Sequence, residues 1–219
     1  MEDFKHYLHI QEELARKVIA IDQPGDINFI AGVDVAYEKE GDRVVAAITI
    51  LNAQTLELVE TSSHAEQVSF PYIPGLFSFR ELPPVLKAFD ALKIRPDLII
   101  CDGQGYAHPR RFGLACHLGV ELDMPTIGCA KTRLIGEYNE PGVARGNYSD
   151  LKDGDETIGY VLRTQDNTNP VFVSVGHKVS LKTSVDWVLK ACNEFRLPET
   201  TRTADHAVKM AMKVLNSSA

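Results

Sequence analysis

The sequence has few cysteines and no long apolar run, and each shortage excludes a class of protein. No apolar run approaches the roughly 20 residues that a membrane-spanning helix needs, and the N-terminal residues lack the basic start and apolar stretch of a signal peptide. We therefore expect a cytoplasmic protein that works without a membrane. The four cysteines form no Cys-x-x-Cys pair and no zinc-type spacing, so we expect buried, reduced thiols rather than disulfides or a zinc site. They are Cys101, Cys116, Cys129 and Cys192.

An excess of positive charge is also missing. The 219 residues include 23 Lys and Arg against 30 Asp and Glu, a formal net charge of −7. This balance argues against a broad electropositive surface that holds nucleic acid without selectivity. It leaves room for a local basic groove beside an acidic metal site, because a net charge hides its distribution. The hydrophobic fraction of 44% and the charged fraction of 24% exclude a disordered or low-complexity chain.

Hydrophobic periodicity predicts short strands and amphipathic helices along the chain. Turn-forming residues at 38–42 and 52–55 join the first three strands as hairpins. Pro83 and Pro84 place the start of the second helix near them. The predicted strands are 28–37, 43–51, 56–61, 96–102, 125–129, 157–162 and 170–175, and the predicted helices are 7–19, 79–92, 110–122, 182–195 and 201–215.

The order of these elements predicts an α/β fold built on a mixed sheet. Short turns make the first three strands antiparallel, whereas helical connections make the later strands parallel, with helices on the faces of the sheet. This arrangement resembles the ribonuclease-H-like fold, in which the first strand is central and the fourth lies beside it. No internal repeat or linker is visible, so we expect one domain over residues 1–219.

Two aspartates lie where such a sheet would place a metal site. Asp34 interrupts an apolar strand, and Asp102 ends the fourth strand at its carboxyl end. If the strands are neighbours, their backbones lie about 4.8 Å apart and both carboxylates approach one point. Oxygen ligands favour magnesium or manganese over zinc. The alternative is that Asp102 caps the turn before Gly103 and that Asp34 pairs with a buried arginine.

Other charged residues are ambiguous when taken singly. Glu81, at the opening of a helix, is either a catalytic acid or a first-turn acid that interacts with the helix dipole. Asp205 and His206 lie early in the last helix, where a solvated face is the simpler interpretation. Lys131 and Arg133 follow the fifth strand and are either phosphate contacts or ordinary exposed charges.

Tyr72 lies in a loop that proline stiffens on both sides. Proline fixes φ, so the aromatic ring is presented rigidly. A stiff loop with an aromatic tip suits insertion between stacked bases, because unstacking costs a few kcal/mol. The alternative is a buried loop anchor.

Several blocks in register resemble the endonuclease V family over nearly the whole chain. They are residues 31–37 (AGVDVAY), 71–75 (PYIPG), 79–81 (FRE), 101–105 (CDGQG), 108–113 (HPRRFG), 119–120 (GV), 125–131 (PTIGCAK), 174–177 (SVGH) and 197–199 (LPE). Independent blocks in the family's order carry far more weight than one short motif.

This resemblance implies a magnesium-dependent endonuclease, with manganese accepted as a substitute, that acts on deoxyinosine in DNA. By family analogy it hydrolyses the second phosphodiester bond on the 3′ side of the lesion, leaves 3′-hydroxyl and 5′-phosphate ends, and so initiates DNA repair. Inosine-containing RNA is a further substrate in this family. A monomer is expected.

The resemblance also implies roles for individual residues. In the last helix, Asp205 stands where some members have a metal-associated histidine, and His206 remains the alternate. Lys131 matches the basic residue at the cleaved phosphate. The implied metal and catalytic acids are Asp34, Glu81, Asp102 and Asp205; the implied wedge is Tyr72 within Pro71, Ile73 and Pro74; and the implied base pocket is Gly75, Phe77, Gly103, His108, Leu114 and Gly128.

Three other functions are weighed against this one. A junction-resolving or RNA-processing nuclease on the same fold has no use for the proline-flanked Tyr72. An actin-like kinase or ATPase needs two duplicated domains and glycine-rich phosphate turns, for which 219 residues without a repeat are too few. A nonenzymatic nucleic-acid-binding module gives no reason to place acids on adjacent strands, since bare acids repel phosphate.

Overall fold

Residues 4–23, 25–39 and 41–217 are described by a computed structural model of the chain. In these ranges the helices are α1 (Lys5–Ala15), α2 (Phe77–Asp90), α3 (Leu114–Leu122), α4 (Leu181–Ala191) and α5 (Glu199–Ser217). The strands are β1 (Phe29–Tyr37), β2 (Arg43–Asn52), β3 (Leu58–Gln67), β4 (Leu98–Cys101), β5 (Thr126–Ala130), β6 (Tyr148–Asp153), β7 (Glu156–Leu162) and β8 (Val171–His177). None of the described helices is long and apolar enough to cross a membrane.

All eight of these strands form one sheet, in the order β3-β2-β1-β4-β5-β8-β7-β6. The first three strands are antiparallel, β4 and β5 run parallel to β1, and β1 lies beside β4 as predicted. The mixed α/β fold is therefore confirmed. The prediction of parallel strands holds only for β4 and β5, because β8, β7 and β6 continue the sheet in antiparallel pairs.

The edges of the sheet are where the sequence-based strand predictions fall short. Strand β3 continues to Gln67, six residues beyond the predicted end, because one of its faces is open to solvent and its sequence is polar. Strand β6 was not predicted at all. Only Leu151 of this strand is buried, so it shows no apolar alternation. Edge strands carry polar side chains that blunt unwanted pairing, which removes the hydrophobic signal.

Helix α2 contains Pro83 and Pro84 in its interior, so the prediction that the helix starts near them was wrong. The prolines lack the amide hydrogens that would bond to carbonyls four residues earlier. The helix persists because its apolar face is buried against the sheet through Leu82, Val85 and Phe89. Burial of such side chains contributes about 1.5–3 kcal/mol each, enough to offset the missing hydrogen bonds.

The helices cover both faces of the sheet. Helices α2 and α3 pack on one face, and α4 and α5 pack on the other. Helix α5 approaches β1 at Gly32, where a β-carbon would overlap the carbonyl oxygen of Thr200. This close approach brings the last helix over the strand that carries Asp34. The four cysteines are free and buried, as predicted.

Candidate functional site

Asp34, within β1, and Asp102, directly after β4, lie side by side. Val33 and Cys101 are partners in the parallel ladder of β1 and β4, and Asp34 and Asp102 are the residues that follow them. The amide of Asp102 donates to the carbonyl of Val33 over 3.3 Å. Parallel strands end at the same edge of a sheet, where open α/β folds bind ligands. The predicted juxtaposition is present in the structure.

Asp34 is half-buried and strongly affected by its neighbours. Burial, with the nearby charge of Asp102 second, raises the pKa of Asp34 to about 6. Its side chain accepts a hydrogen bond from the amide of Val35 over 2.9 Å. The cation that acts on it is Lys131, and within the described ranges it forms no ion pair with an arginine. The alternative of a buried arginine partner was therefore wrong.

Glu81 is the most buried of the predicted acids, with 7% of its surface exposed. Burial, followed by the charges of Asp34 and Asp102, raises the pKa of Glu81 to about 8. The hydroxyl of Tyr37 donates to it over 3.4 Å, a long hydrogen bond. Glu81 therefore faces the other acids from α2, which a solvated first-turn acid would not do.

Lys131 supplies the positive charge at this edge of the sheet and forms an ion pair with Asp102. Burial alone would lower the pKa of Lys131, but the hydrogen bond and charge of Asp102 outweigh it and leave the pKa raised. The backbone on either side is fixed by side chains: Arg196 donates to the carbonyl of Lys131 over 3.2 Å, and Gln104 donates to that of Thr132 over 2.9 Å.

Of the two candidates in the last helix, Asp205 is the one whose charge acts on Asp34. The charge of Asp205 helps raise the pKa of Asp34 and that of Lys131, so its carboxylate faces the same site. It also forms an ion pair with Lys209 over 2.7 Å. His206 is exposed and lines a separate groove of about 580 Å³ between β3 and α5.

The carboxylates have the chemistry of a site for a hard divalent cation. Within residues 4–23, 25–39 and 41–217, no three His, Cys, Asp or Glu side chains converge closely enough to hold a metal as they stand. The donor set nevertheless fits such an ion, because its ligands are oxygens. Burial first, and then the charge of neighbouring carboxylates, raises the pKa values of Asp34 and Glu81. A divalent cation would relieve that repulsion.

A cavity of about 730 Å³ opens beside the acids. Its walls come from the loop before α2, the loop between β4 and α3, and the segment after β5. Of the predicted pocket and wedge residues, it is lined by Tyr72, Pro74, Gly75, Phe77, Gly103, His108 and Leu114, together with Glu81, Asp102 and Lys131. A second surface groove of about 900 Å³ shares Arg133 with this cavity. None of the predicted metal, wedge or base-pocket residues lines it.

Three of the predicted pocket and wedge residues are not part of the cavity wall, and of the predicted acids Asp34 and Asp205 also lie outside it. Pro71 and Ile73 belong to the same loop as Tyr72 but do not line the cavity. Gly128 lies behind the wall, where a β-carbon would overlap the amide of Gly105 and crowd the carbonyl of Gly103. Gly128 therefore lets the loop after β4 pack closely, and it does not face the cavity.

Tyr72 and His108 differ sharply in their exposure at this cavity. Tyr72 is 67% exposed and contacts Phe77 edge-on, with ring centroids 5.9 Å apart. It is not a buried anchor. His108 is buried, and burial together with the charge of Arg110 lowers its pKa to about 4. The imidazole is therefore neutral at physiological pH, and its Nδ1 accepts a hydrogen bond from the amide of Arg110 over 3.2 Å.

Two residues that hold the loops of the cavity wall were missed from the sequence. Arg110 lines the cavity and donates to the carbonyl of Gly75 over 2.6 Å. Gln11 of α1 is fully buried and is hydrogen-bonded to both Arg110 and Gly75. Arg110 stands within the block 108–113 and could have been singled out there. Gln11 gives no signal, because a single amide in an amphipathic helix resembles any surface residue.

The comparisons with known proteins identify the family of this chain. The endonuclease V family matches residues 12–206. The chain belongs to the endonuclease V family. Endonuclease V of Rippkaea orientalis is 49% identical over 95% of this chain and 91% of its own length. The crystal structure of endonuclease V from Streptomyces avermitilis has a TM-score of 0.93 at 46% identity, covering 98% of this chain and 94% of that one.

A third member of the endonuclease V family was solved with nucleic acid. It is Ciona intestinalis endonuclease V in complex with a 24mer DNA containing an inosine followed by a ribo-adenosine. Its TM-score is 0.86 at 29% identity, and the alignment covers 98% of this chain and 100% of that chain. Membership of this family makes the protein a nuclease, a hydrolase of phosphodiester bonds.

Proposed function

We propose that this endonuclease V is a magnesium-dependent enzyme that cuts DNA at deoxyinosine. It hydrolyses the second phosphodiester bond on the 3′ side of the lesion, leaves 3′-hydroxyl and 5′-phosphate ends, and so initiates repair of deaminated adenine. The observation that carries the proposal is the juxtaposition of Asp34 in β1 and Asp102 directly after the adjacent β4, next to a cavity with an exposed tyrosine at its mouth.

The proposed metal ligands are the carboxylates of Asp34, Glu81, Asp102 and Asp205, and manganese is expected to substitute for magnesium. A bound magnesium ion would polarise the phosphate and lower the pKa of the attacking water. The acids keep this edge of the sheet negative, so that phosphate approaches favourably only where positive charge is supplied.

Lys131 is the residue of the chain that we assign to the scissile phosphate. Its raised pKa keeps the ammonium group charged at neutral pH. Its ion pair with Asp102 supports the proposal that this charge meets the phosphate beside the proposed metal ligands. A fixed cation at this point stabilises the extra negative charge that develops in the transition state. The anchored backbone at Lys131 and Thr132 reduces the cost of holding the side chain there.

The cavity is proposed to hold the everted base. Its walls are partly backbone, at Gly75 and Gly103, and partly apolar, at Phe77 and Leu114. Hypoxanthine has the carbonyl oxygen of guanine and lacks the exocyclic amine. A wall close to the position of that amine would reject guanine by steric overlap rather than by extra affinity for hypoxanthine. The neutral His108 lines the same cavity without adding a charge.

Tyr72 is the proposed wedge, with Pro71, Ile73 and Pro74 as its stiff support. The exposed ring stands at the mouth of the cavity, where it can enter the gap that the everted nucleotide leaves. Stacking a base on an aromatic ring is worth about 1–3 kcal/mol. This gain offsets part of the unstacking cost in duplex DNA.

Inosine-containing RNA is a second proposed substrate. The relative from Ciona intestinalis was solved with an inosine followed by a ribo-adenosine. A family member therefore accommodates a ribose on the 3′ side of inosine. We also propose that the protein acts as a monomer in the cytoplasm, where its four buried thiols stay reduced. Light scattering of the purified protein tests the monomer.

The test is a nicking assay with an oligonucleotide that bears one deoxyinosine, in parallel with an undamaged control and an inosine RNA of the same sequence. We expect a single magnesium-dependent cut, with product ends mapped by gel mobility and phosphatase treatment. Equal cutting of the undamaged control would favour the alternative of a junction or RNA-processing nuclease on this fold.

A further inference from the structure

The loop that carries Tyr72 is tied to the first helix through a buried amide. Gln11 of α1 is 0% exposed. Its Nε2 donates to the carbonyl of Gly75 over 2.9 Å and to the carbonyl of Phe112 over 2.9 Å. Both amide hydrogens are therefore used, and each satisfies a different loop. Gln11 joins the segment before α2 to the segment before α3, which are 37 residues apart in the chain (112 minus 75).

Arg110 completes this arrangement. Its Nε donates to Oε1 of Gln11, and its Nη2 donates to the carbonyl of Gly75 over 2.6 Å. The orientation of the Gln11 amide is fixed, because the two carbonyls require its nitrogen and the guanidinium requires its oxygen. We call Gln11, Arg110 and the Gly75 carbonyl the loop clamp.

The clamp also dictates the residue at position 75. Gly75 has a φ of +79°, and a β-carbon there would overlap the Nη2 atom of Arg110. Glycine adopts positive φ without the strain that other residues suffer. The carbonyl of residue 75 can therefore face Arg110 and Gln11 only when this residue is glycine.

The clamp lies at the end of the wedge loop, where a wedge needs an anchor. The prolines at 71 and 74 restrict φ locally, but they do not fix the loop relative to the cavity. Tyr72 is exposed and contacts Phe77 only edge-on, so its own packing holds it weakly. When the ring separates stacked bases, the duplex pushes back on the loop, so the loop must be anchored where it joins the rest of the fold. Gly75 lies at that junction, because it is directly followed by Leu76 at the start of α2.

We propose that Gln11 is a positioning residue that acts through Arg110 and Gly75 to hold Tyr72 in place for duplex substrates. The inference rests on the proposed function. The family match begins at residue 12, so Gln11 and most of α1 precede the matched residues. Single-stranded substrates need no strand separation, so the clamp contributes to duplex cleavage and hardly to single-strand cleavage.

The test compares Gln11→Leu and Gln11→Glu with the wild-type protein on duplex and single-stranded inosine oligonucleotides. Leucine removes every hydrogen bond of the side chain, whereas glutamate keeps an acceptor for Arg110 and loses the donors to Gly75 and Phe112. Loss of two buried hydrogen bonds predicts a fall of about tenfold in kcat/KM on duplex DNA. On single strands we expect less than about a twofold change from the same reasoning.

A double-mutant cycle with Tyr72→Ala separates positioning from general loosening of the fold. If Gln11 acts through Tyr72, then Gln11→Leu has no further effect on duplex cleavage once the ring is gone. Additive effects would overturn the proposal. Leu14→Ala is the matched control, because it trims an apolar side chain of the same helix without touching the clamp. It should leave the ratio of duplex to single-strand activity unchanged.

Each outcome has a distinct meaning. If the wild-type protein leaves inosine oligonucleotides uncut, the proposed function fails. If it cuts them and Gln11→Leu and Gln11→Glu lower duplex and single-strand cleavage equally, only the clamp proposal fails. Thermal melting of each variant sets the assay temperature below its unfolding transition. If the leucine variant does not fold, the glutamate variant gives the same comparison.

Discussion

Asp34 and Asp102 lie one residue beyond Val33 and Cys101, which are partners in the parallel ladder of β1 and β4. The pairing brings together acids that are 68 positions apart in the chain (102 minus 34). Burial, with the nearby charge of Asp102 second, raises the pKa of Asp34, so this environment disfavours its ionised form. Such an arrangement lowers the free energy of unfolding of the protein without a ligand. Groups with perturbed pKa values of this kind cluster at functional sites, where a cation or substrate interacts with them.

The first prediction concerns Asp34→Asn and Asp102→Asn. Each substitution removes a proposed ligand while keeping the size of the side chain, so we expect cleavage to fall by more than about 100-fold, beyond the range typical for metal-supporting residues. Lesion binding should survive, because Asp34 does not line the cavity and asparagine at position 102 keeps the size of the side chain that does. Gel-shift and nicking assays on one deoxyinosine duplex measure both quantities.

The control for these two substitutions is Asp155→Asn, which changes an exposed acid in the β6–β7 turn. Full activity of either ligand variant would exclude that acid from the chemistry.

The second prediction uses Glu81, whose pKa is raised from 4.5 to about 8 by burial and by the charges of Asp34 and Asp102. The folded state holds this proton more tightly than the unfolded state, so stability is lost as pH rises from about 4.5 through about 8. Above pH 6.5, Glu81 contributes more to the pH dependence of the free energy of unfolding than Asp34, whose pKa is about 6. Glu81→Gln should flatten the decline in free energy of unfolding between pH 6.5 and 8, by at most about 1.4 kcal/mol per pH unit.

Magnesium should reverse the same decline. A ligand that binds only the folded state stabilises it, by about 2.7 kcal/mol at 100 times its Kd. We expect a larger rise in melting temperature with millimolar magnesium at pH 8 than at pH 6, because the carboxylates are then ionised. The rise should shrink in Glu81→Gln. An equal rise in the wild-type and variant proteins would remove Glu81 from the proposed ligands.

Part of this site could be predicted from the sequence and part could not. Asp34 and Asp102 stand out because each breaks or ends an apolar strand, and hairpin and crossover rules place those strands together. Gln11 shows no such signal, because its partners at 75 and 112 are fixed only by the packing of three separate segments. Strand β6 was missed for a related reason: a polar edge strand is defined by its neighbour rather than by its own side chains.

The third prediction concerns Tyr72. Tyr72→Ala removes the exposed ring and with it stacking worth about 1–3 kcal/mol, so duplex lesion binding should weaken by roughly 5- to 100-fold. Binding to single-stranded inosine DNA should change less, because no strands are separated. Tyr72→Phe keeps the ring and serves as the control. Fluorescence anisotropy with both oligonucleotides measures the ratio, and an unchanged ratio in Tyr72→Ala would rule out a wedge.

The fourth prediction concerns the buried His117, whose Nδ1 lies 3.0 Å from Oγ of Ser78. Burial lowers its pKa from 6.5 to about 4. The unfolded state therefore binds the proton more readily, and this residue costs stability progressively as pH falls from 6.5 to about 4. His117→Gln should reduce the acid sensitivity of the free energy of unfolding by up to about 1.4 kcal/mol per pH unit in that window.

Denaturant titrations of both proteins at pH 4.5, 5.5 and 7 measure the free energy of unfolding and its slope with pH. An unchanged slope would show that another group, such as His108, carries the acid sensitivity.

The fifth prediction tests how α5 delivers Asp205. A β-carbon at Gly32 would overlap the carbonyl oxygen of Thr200, so Gly32→Ala must push α5 away from β1. Overpacking of this kind costs about 1–3 kcal/mol. Because Asp205 lies one turn beyond Thr200, the same displacement should lower cleavage even at temperatures where the variant is fully folded.

The matched control for this last substitution is Gly25→Ala, because a β-carbon at Gly25 meets no atom within 4 Å. We expect its stability and cleavage to equal those of the wild-type protein. Melting temperature and nicking rate are measured on both variants. If Gly32→Ala lowers the melting temperature but leaves cleavage intact, α5 tolerates the shift and Asp205 is dispensable at the site. If neither quantity changes, the close approach of α5 to β1 does not position the site, because the backbone can relax around the added methyl group at no measurable cost.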